Sequence, residues 1–245
     1  MGRIITLANR KGGSGKTTLA VNLAAELGSR GLKVLLIDLD PQCHASFISG
    51  VDTYQRFLGM SAVLQEGVPI EQVIMRMPYN LFDIAPLYQK ELGYSFHLDI
   101  EKNLNVLKNV ENKYDYILVD TPPSIEDIHR LTFSISTDVF IPLVLQFLAM
   151  EGLAQLTRLI YLANETINPN LKLSAIIPIH LNVQTNHEKA VLNEIEETFG
   201  KEIIKSPIRS DVKFADASWK QQPLLIFNPK SRGIKDFKQL ADEIM

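Results

Sequence analysis

From Arg10 to Thr18 the chain reads Arg-Lys-Gly-Gly-Ser-Gly-Lys-Thr-Thr, and what flanks that run narrows the possible folds more than any other feature. Before it stands Ile4-Ile5-Thr6-Leu7-Ala8, a continuous β-prone segment. After it Leu19, Leu23 and Leu27 recur every four residues with Ala20 and Ala24 beside them, a helical period over Thr17 to Arg30 with Gly31 as its C-terminal stop. Val34 to Ile37 is apolar again and ends in acids. The opening therefore reads strand, loop, helix, strand, which is a βαβ unit and requires parallel strands.

Four more apolar runs, Tyr116 to Val119, Val139 to Val144, Leu173 to Ile179 and Leu224 to Phe227, are expected as strands, separated by helical stretches at 151–164, 187–199 and 231–245. Strands that are apolar without alternation are covered on both faces. The expected architecture is a doubly wound, mainly parallel α/β sheet with helices on both faces, residues 1–245 forming one domain, and the ligand beyond the carboxyl ends of the strands. Residues 51–112 are less legible; Leu104, Leu107 and Val110 point to one helix there. A single cysteine, Cys43, leaves no internal disulfide and no cysteine cage for a metal, which fits a reducing cytoplasm. Cys43-His44 has no second Cys and no clustered His to complete a metal site. No apolar run approaches the roughly 18 residues of a membrane span.

A glycine-rich turn between a strand and a helix suits phosphate. Gly12, Gly13 and Gly15 let backbone N–H groups close around phosphate oxygens together with those of Lys11, Ser14 and Thr18, and the helix N-terminus adds its partial positive charge. Lys16 is placed for β and γ phosphates, and the Thr17 hydroxyl for Mg²⁺, an ion that keeps several waters. Arg10 stands where the strict phosphate-loop pattern has its first glycine, and an extra lysine, Lys11, follows it. Two cations crowd one loop unless a polyphosphate neutralises them.

The run Lys-Gly-Gly-Ser-Gly-Lys-Thr resembles the deviant Walker A motif of the ParA, MinD and nitrogenase iron protein superfamily, and the resemblance extends over nearly the whole chain. It implies that Lys11 reaches the nucleotide of a second subunit. Leu35-Leu36-Ile37-Asp38-Leu39-Asp40-Pro41-Gln42 is similar to the family's second motif, in which Asp40 orients or deprotonates the attacking water and Asp38 supports the metal region. Tyr116 to Ser124 resembles Walker B running into switch II, with Asp120 holding Mg²⁺ through water, and Phe147 to Leu153 resembles the segment after the fourth motif. Asn182 falls where the superfamily reads adenine, and Pro207 and Arg209 where it has the other wall of the base pocket. The tail from Val212 to Gly233 looks like the Soj-type ParA ending, in which Lys213 matches a DNA-contacting position. The chain departs from the pattern at Cys43-His44, at Ile125-Glu126-Asp127 and at Gln184, where some relatives carry a DNA-binding arginine.

Net charge is −3, yet between Lys201 and Lys238 nine Lys/Arg face four acids. That surplus marks either a polyanion-binding face, with Lys213, Lys220, Lys230 and Arg232 as its candidate contacts, or a solvated surface. Taken with the resemblance, the expectation is an ATP-dependent homodimer that sandwiches ATP, binds DNA without sequence preference and hydrolyses ATP slowly when a ParB-like partner triggers it. Such a switch is cytoplasmic, nucleoid-associated in its ATP state, and moves DNA or another cargo. The start directly at a strand leaves no N-terminal helix-turn-helix. The alternative is a MinD-like membrane switch, for which Ile234, Phe237, Leu240, Ala241 and Ile244 would supply an amphipathic helix. An iron protein would need cluster cysteines that are missing.

Overall fold

A computed structural model describes residues 2–54, 58–88, 103–107, 109–123, 126–146, 149–181 and 186–245. Its strands are β1 (Arg3–Leu7), β2 (Val34–Asp38), β3 (Met75–Arg76), β4 (Asp83–Ala85), β5 (Tyr116–Asp120), β6 (Asp138–Val144), β7 (Lys172–Leu181) and β8 (Ile208–Arg209). They form one sheet in the order β3-β4-β2-β5-β1-β6-β7-β8. Every pair is parallel except β3 with β4. The helices are α1 (Lys16–Ser29), α2 (His44–Ile48), α3 (Glu126–Ile135), α4 (Ala149–Thr166), α5 (Asn186–Phe199), α6 (Lys213–Trp219), α7 (Leu224–Phe227) and α8 (Arg232–Ile244).

The apolar strand runs are explained by where alternate residues go. Ile5, Leu7, Leu36, Leu118 and Phe140 pack on one face with Leu19, Leu23 and Leu27 of α1 and Phe237 and Leu240 of α8. Ile4, Leu35, Ile37, Ile117 and Val119 pack on the other with Ile128 and Leu131 of α3, and Val139, Ile141 and Leu143 join α4 and α5 there. Both faces are covered, as the missing alternation required. Gly31 follows α1 at φ 84, the left-handed turn that ends the helix.

Two expectations are corrected. Leu224–Phe227 is one turn of helix, not a strand: Pro223 starts it, and the Leu224 amide donates to Asn22 Oδ1 of α1 at 2.8 Å. A four-residue apolar run carries no periodicity by which to separate the two. Residues 104–107 and 109–113 run as successive turns rather than a helix, although Leu107 and Val110 are buried as the apolar pattern required.

The amphipathic stripe of α8 is spent inside the protein. Ile234, Phe237, Leu240, Ala241 and Ile244 are all buried, packed against α1. Arg30 ties the two helices together, donating to Glu26 Oε1 at 3.0 Å and to the Lys238 carbonyl at 2.7 Å.

Candidate nucleotide-binding site

The sheet reverses its winding at β1, whose neighbours are β5 and β6, and the loop after β1 opens at that switch point. Asn9 fixes the loop's entry: its Nδ2 donates to the Pro142 carbonyl at 2.7 Å, and its Oδ1 accepts from the Lys11 amide at 2.9 Å. Gly13 and Gly15 take φ 72 and φ 80. A Cβ on Gly15 would stand 2.9 Å from Ile179 Cγ2, so the residue must be glycine on both counts. Gly15 caps α1 without a side-chain hydrogen bond, which leaves the first-turn N–H groups for an anion. Inside this cradle Ser14 Oγ is buried with no partner among the described residues.

The two lysines sit differently. Lys16 is 6% exposed and donates to the Asn9 carbonyl at 3.1 Å; burial lowers its pKa while Asp120 and Asp40 pull it back up. Lys11 is exposed and donates to Gln146 Oε1 just past β6.

Parallel pairing in register brings Asp38 beside Asp120 at the carboxyl ends of β2 and β5. Asp120 Oδ2 accepts from Thr17 Oγ1 at 2.7 Å, whereas its Oδ1 is buried and has no partner among the described residues. Burial, and then the charge of Asp38, holds its pKa well above the ordinary carboxylate value. An unpaired carboxylate oxygen next to a hydroxyl is what an Mg²⁺ shell fits, since the ion keeps its waters and takes few protein oxygens. Asp38, also fully buried and pushed up to about 7 by burial, spends its oxygens differently. It accepts from the Ser46 amide at 2.8 Å, from Ser46 Oγ at 2.7 Å and from the Asp40 amide at 3.1 Å. Its geometry shapes the turn that carries Asp40, whose own Oδ1 accepts from the Gln42 amide at 2.9 Å.

On the far side of the loop Gly15, Thr18, Ile179, Ile208, Arg209 and Phe214 line a narrow cleft. The Arg209 guanidinium is held by buried Asp236, with Nε 3.1 Å from Oδ1, so this residue offers the cleft its backbone and stem rather than a free charge. Pro207 precedes it, half-buried. Asn182 and Gln184 lie outside the described residues, as do Ser124, Ile125, Phe147 and Leu148.

Four residues important to this geometry were not singled out from sequence: Asn9, Ser46, Asp236 and His129. His129 of α3 is 5% exposed, stacks on Phe133, donates to the Pro122 carbonyl and places Nε2 3.5 Å from Thr121 Oγ1. Burial, with Lys16 and Arg10 adding to it, lowers its pKa to about 4. The only sequence signal for it was a histidine nine residues after the Walker B aspartate on an otherwise apolar helix face. Of the four basic candidates, Lys213 pairs with Asp216 at 2.8 Å and Arg232 donates to the Ser210 carbonyl. Lys220 and Lys230 are exposed.

A cradle of left-handed glycines, a buried lysine and a hydroxyl–carboxylate pair one strand away serve a metal-bound polyphosphate better than a lone anion. With a second loop lysine left at the surface, this is the arrangement of a P-loop ATPase. The AAA domain family matches residues 2–173. The sporulation initiation inhibitor protein Soj of Bacillus subtilis is 30% identical over 249 residues, 100% of this chain and 98% of Soj. The chromosome partitioning protein ParA of Myxococcus xanthus is 30% identical over 250 residues, 100% of this chain and 88% of that protein. Among solved structures, cobyrinic acid a,c-diamide synthase from Mycobacterium smegmatis with bound ADP and magnesium superposes with TM-score 0.84 at 26% identity, over 99% of this chain and 93% of that one. The chain belongs to the ParA/MinD superfamily of ATPases.

Proposed function

We propose that residues 1–245 act as one ATP-driven switch. Two copies close around sandwiched ATP and Mg²⁺, the dimer binds DNA without sequence preference, and slow hydrolysis, stimulated by a ParB-like partner, releases it to partition or position DNA or another cargo. The observation that carries this reading is Lys11, a cation of the phosphate loop that faces outward to Gln146 while Lys16 alone is buried in the loop of its own chain. The partitioning names of Soj and ParA support it.

Thr17 and Asp120 would hold the shell of Mg²⁺, which when bound would supply positive charge to neutralise phosphate, with Asp38 bracing the adjacent turn. Gly12, Gly13, Ser14, Gly15 and Thr18 wrap the phosphates, while Pro207 and Arg209 flank the base. Lys16, and Lys11 from the opposite subunit, stabilise charge spreading over the transferred group. Asp40, at the mouth of the α2 turn, orients the attacking water.

The DNA-facing side is drawn from Lys213, Lys220, Lys230 and Arg232, in a cytoplasmic protein that joins the nucleoid in its ATP state. The buried apolar face of α8 favours this over a lipid-bound reading. No helix among the described residues is long and apolar enough to cross a membrane.

The test is filter binding on two unrelated duplexes with ATP and with ADP across a salt series, for the native protein and for Asp40→Ala, which should hold the ATP state. Binding should need ATP, ignore sequence and fall steeply with salt. Binding indifferent to nucleotide overturns the switch, and no DNA binding together with ATP-dependent flotation on liposomes moves the assignment to the membrane class.

A further inference from the structure

The chain has one tryptophan, Trp219, and it is 81% exposed at the end of α6. Val212, at the N-cap of the same helix, is 77% exposed. Two helical turns separate them, so both lie on one side of α6, while Phe214 and Ala217 are buried on the other. A singly exposed apolar residue needs no explanation; the two most exposed large ones among the described residues sharing one short helix face do.

Each is followed in sequence by a lysine, Lys213 and Lys220. The Lys213–Asp216 pair is half-exposed on both sides, a weak bond that a phosphate can replace. Lys213 and Lys220 therefore flank this apolar face on one side, with Asp216 between Val212 and Trp219, inside the most basic stretch of an otherwise acidic chain. Duplex DNA alternates in the complementary way, anionic phosphates with the apolar surface of the deoxyriboses, whereas a second copy of this face would set lysines against lysines. α6 also packs against α2, the helix that follows the Asp40 turn, and its buried Phe214 lines the cleft beside Gly15 and Thr18, so the patch is carried on the outer side of a helix that borders the nucleotide site.

We propose that Trp219, with Val212, is an apolar anchor on duplex DNA that lies against the deoxyriboses between the phosphate contacts of Lys213 and Lys220. It adds affinity that salt does not screen. The proposal rests on the DNA-binding reading above and extends it from an ionic face to a mixed one.

Because Trp219 is the sole indole among seven tyrosines, emission excited at the red edge of the indole band, beyond tyrosine absorption, reports on it alone. Acrylamide quenching is measured for the full chain with a non-hydrolysable ATP analogue, then with added duplex DNA, and separately with phosphatidylglycerol vesicles. Shielding should appear only with DNA. In filter binding, Trp219→Ala should weaken affinity about tenfold, the loss of roughly 60 Å² of buried apolar contact, with an unchanged slope of log K against log salt, and Trp219→Phe should recover most of it. Lys213→Ala should instead lower that slope by about 1. If the native protein binds DNA while Trp219 stays open to quencher, or Trp219→Ala binds as tightly as native, this inference falls and the DNA reading stands. Shielding by nucleotide alone or by vesicles assigns the patch to a second subunit or to lipid and likewise overturns it. Failure of the native protein to bind DNA at all sinks the underlying reading instead.

Discussion

Mild acid should destabilise the fold through His129, a buried ring that the native protein keeps neutral. The residue is 5% exposed, and burial lowers its pKa from 6.5 to about 4. The unfolded chain accepts a proton that the folded protein refuses, so between those two values unfolding takes up a proton and stability falls as pH falls. Above pH 6.5 neither state is protonated there and the residue contributes no pH dependence. Each tenfold loss of proton affinity corresponds to about 1.4 kcal/mol, which sets a ceiling of about 3 kcal/mol, with about 2 kcal/mol already lost near pH 5. Carboxylates titrate over the same range, so the measurement is a difference. Urea unfolding of the native protein and of His129→Gln, which keeps a donor for the Pro122 carbonyl, is compared from pH 8 to pH 4.5. The native curve should drop relative to the variant only below about pH 6.5, by roughly 2 kcal/mol at pH 5. Two parallel curves would show that His129 charges as easily in the folded protein as outside it, and the burial reasoning would be refuted.

Two further outcomes bear on the phosphate loop. Lys16→Ala should show no ATP binding by calorimetry, since the only buried cation of the loop is gone; unchanged affinity would remove Lys16 from the site. Lys11→Ala should still bind ATP but sediment as a monomer with it, and a variant that dimerised and hydrolysed normally would leave its ammonium idle.

How much of this could be read from the chain depended on distance along it. The phosphate loop was legible because its chemistry is local: glycines, lysine and threonine sit within nine residues and between elements of opposite period. Asp38, Asp40 and Asp120 were legible because each ends an apolar run. That Asp38 spends its oxygens on Ser46 and the Asp40 amide was not, because hydrogen-bond partners leave no periodic trace. Arg209 read as part of a wall of the base pocket, and it lines that cleft, but its hold by Asp236 on α8 left no trace in the sequence. Charge counting found a basic stretch and missed that Lys213 and Arg232 are already engaged within it. Leu224–Phe227 failed for the opposite reason: it is too short to show any period.

The strand order also sets when the site can exist. β1 pairs only with β5 and β6, and β5 stands between β1 and β2. β1 and β2, successive in the chain, thus cannot pair with each other, and each carries unpaired main-chain groups until a strand from far downstream is inserted between them. Closing so long an interval is slow compared with forming α1, whose contacts are local. Thr17 meets its carboxylate partner only when that insertion is complete. A nascent chain that stops short of Tyr116 therefore owns a phosphate loop in sequence alone, and nucleotide binding reports on the central sheet as a whole rather than on the segment that carries the motif.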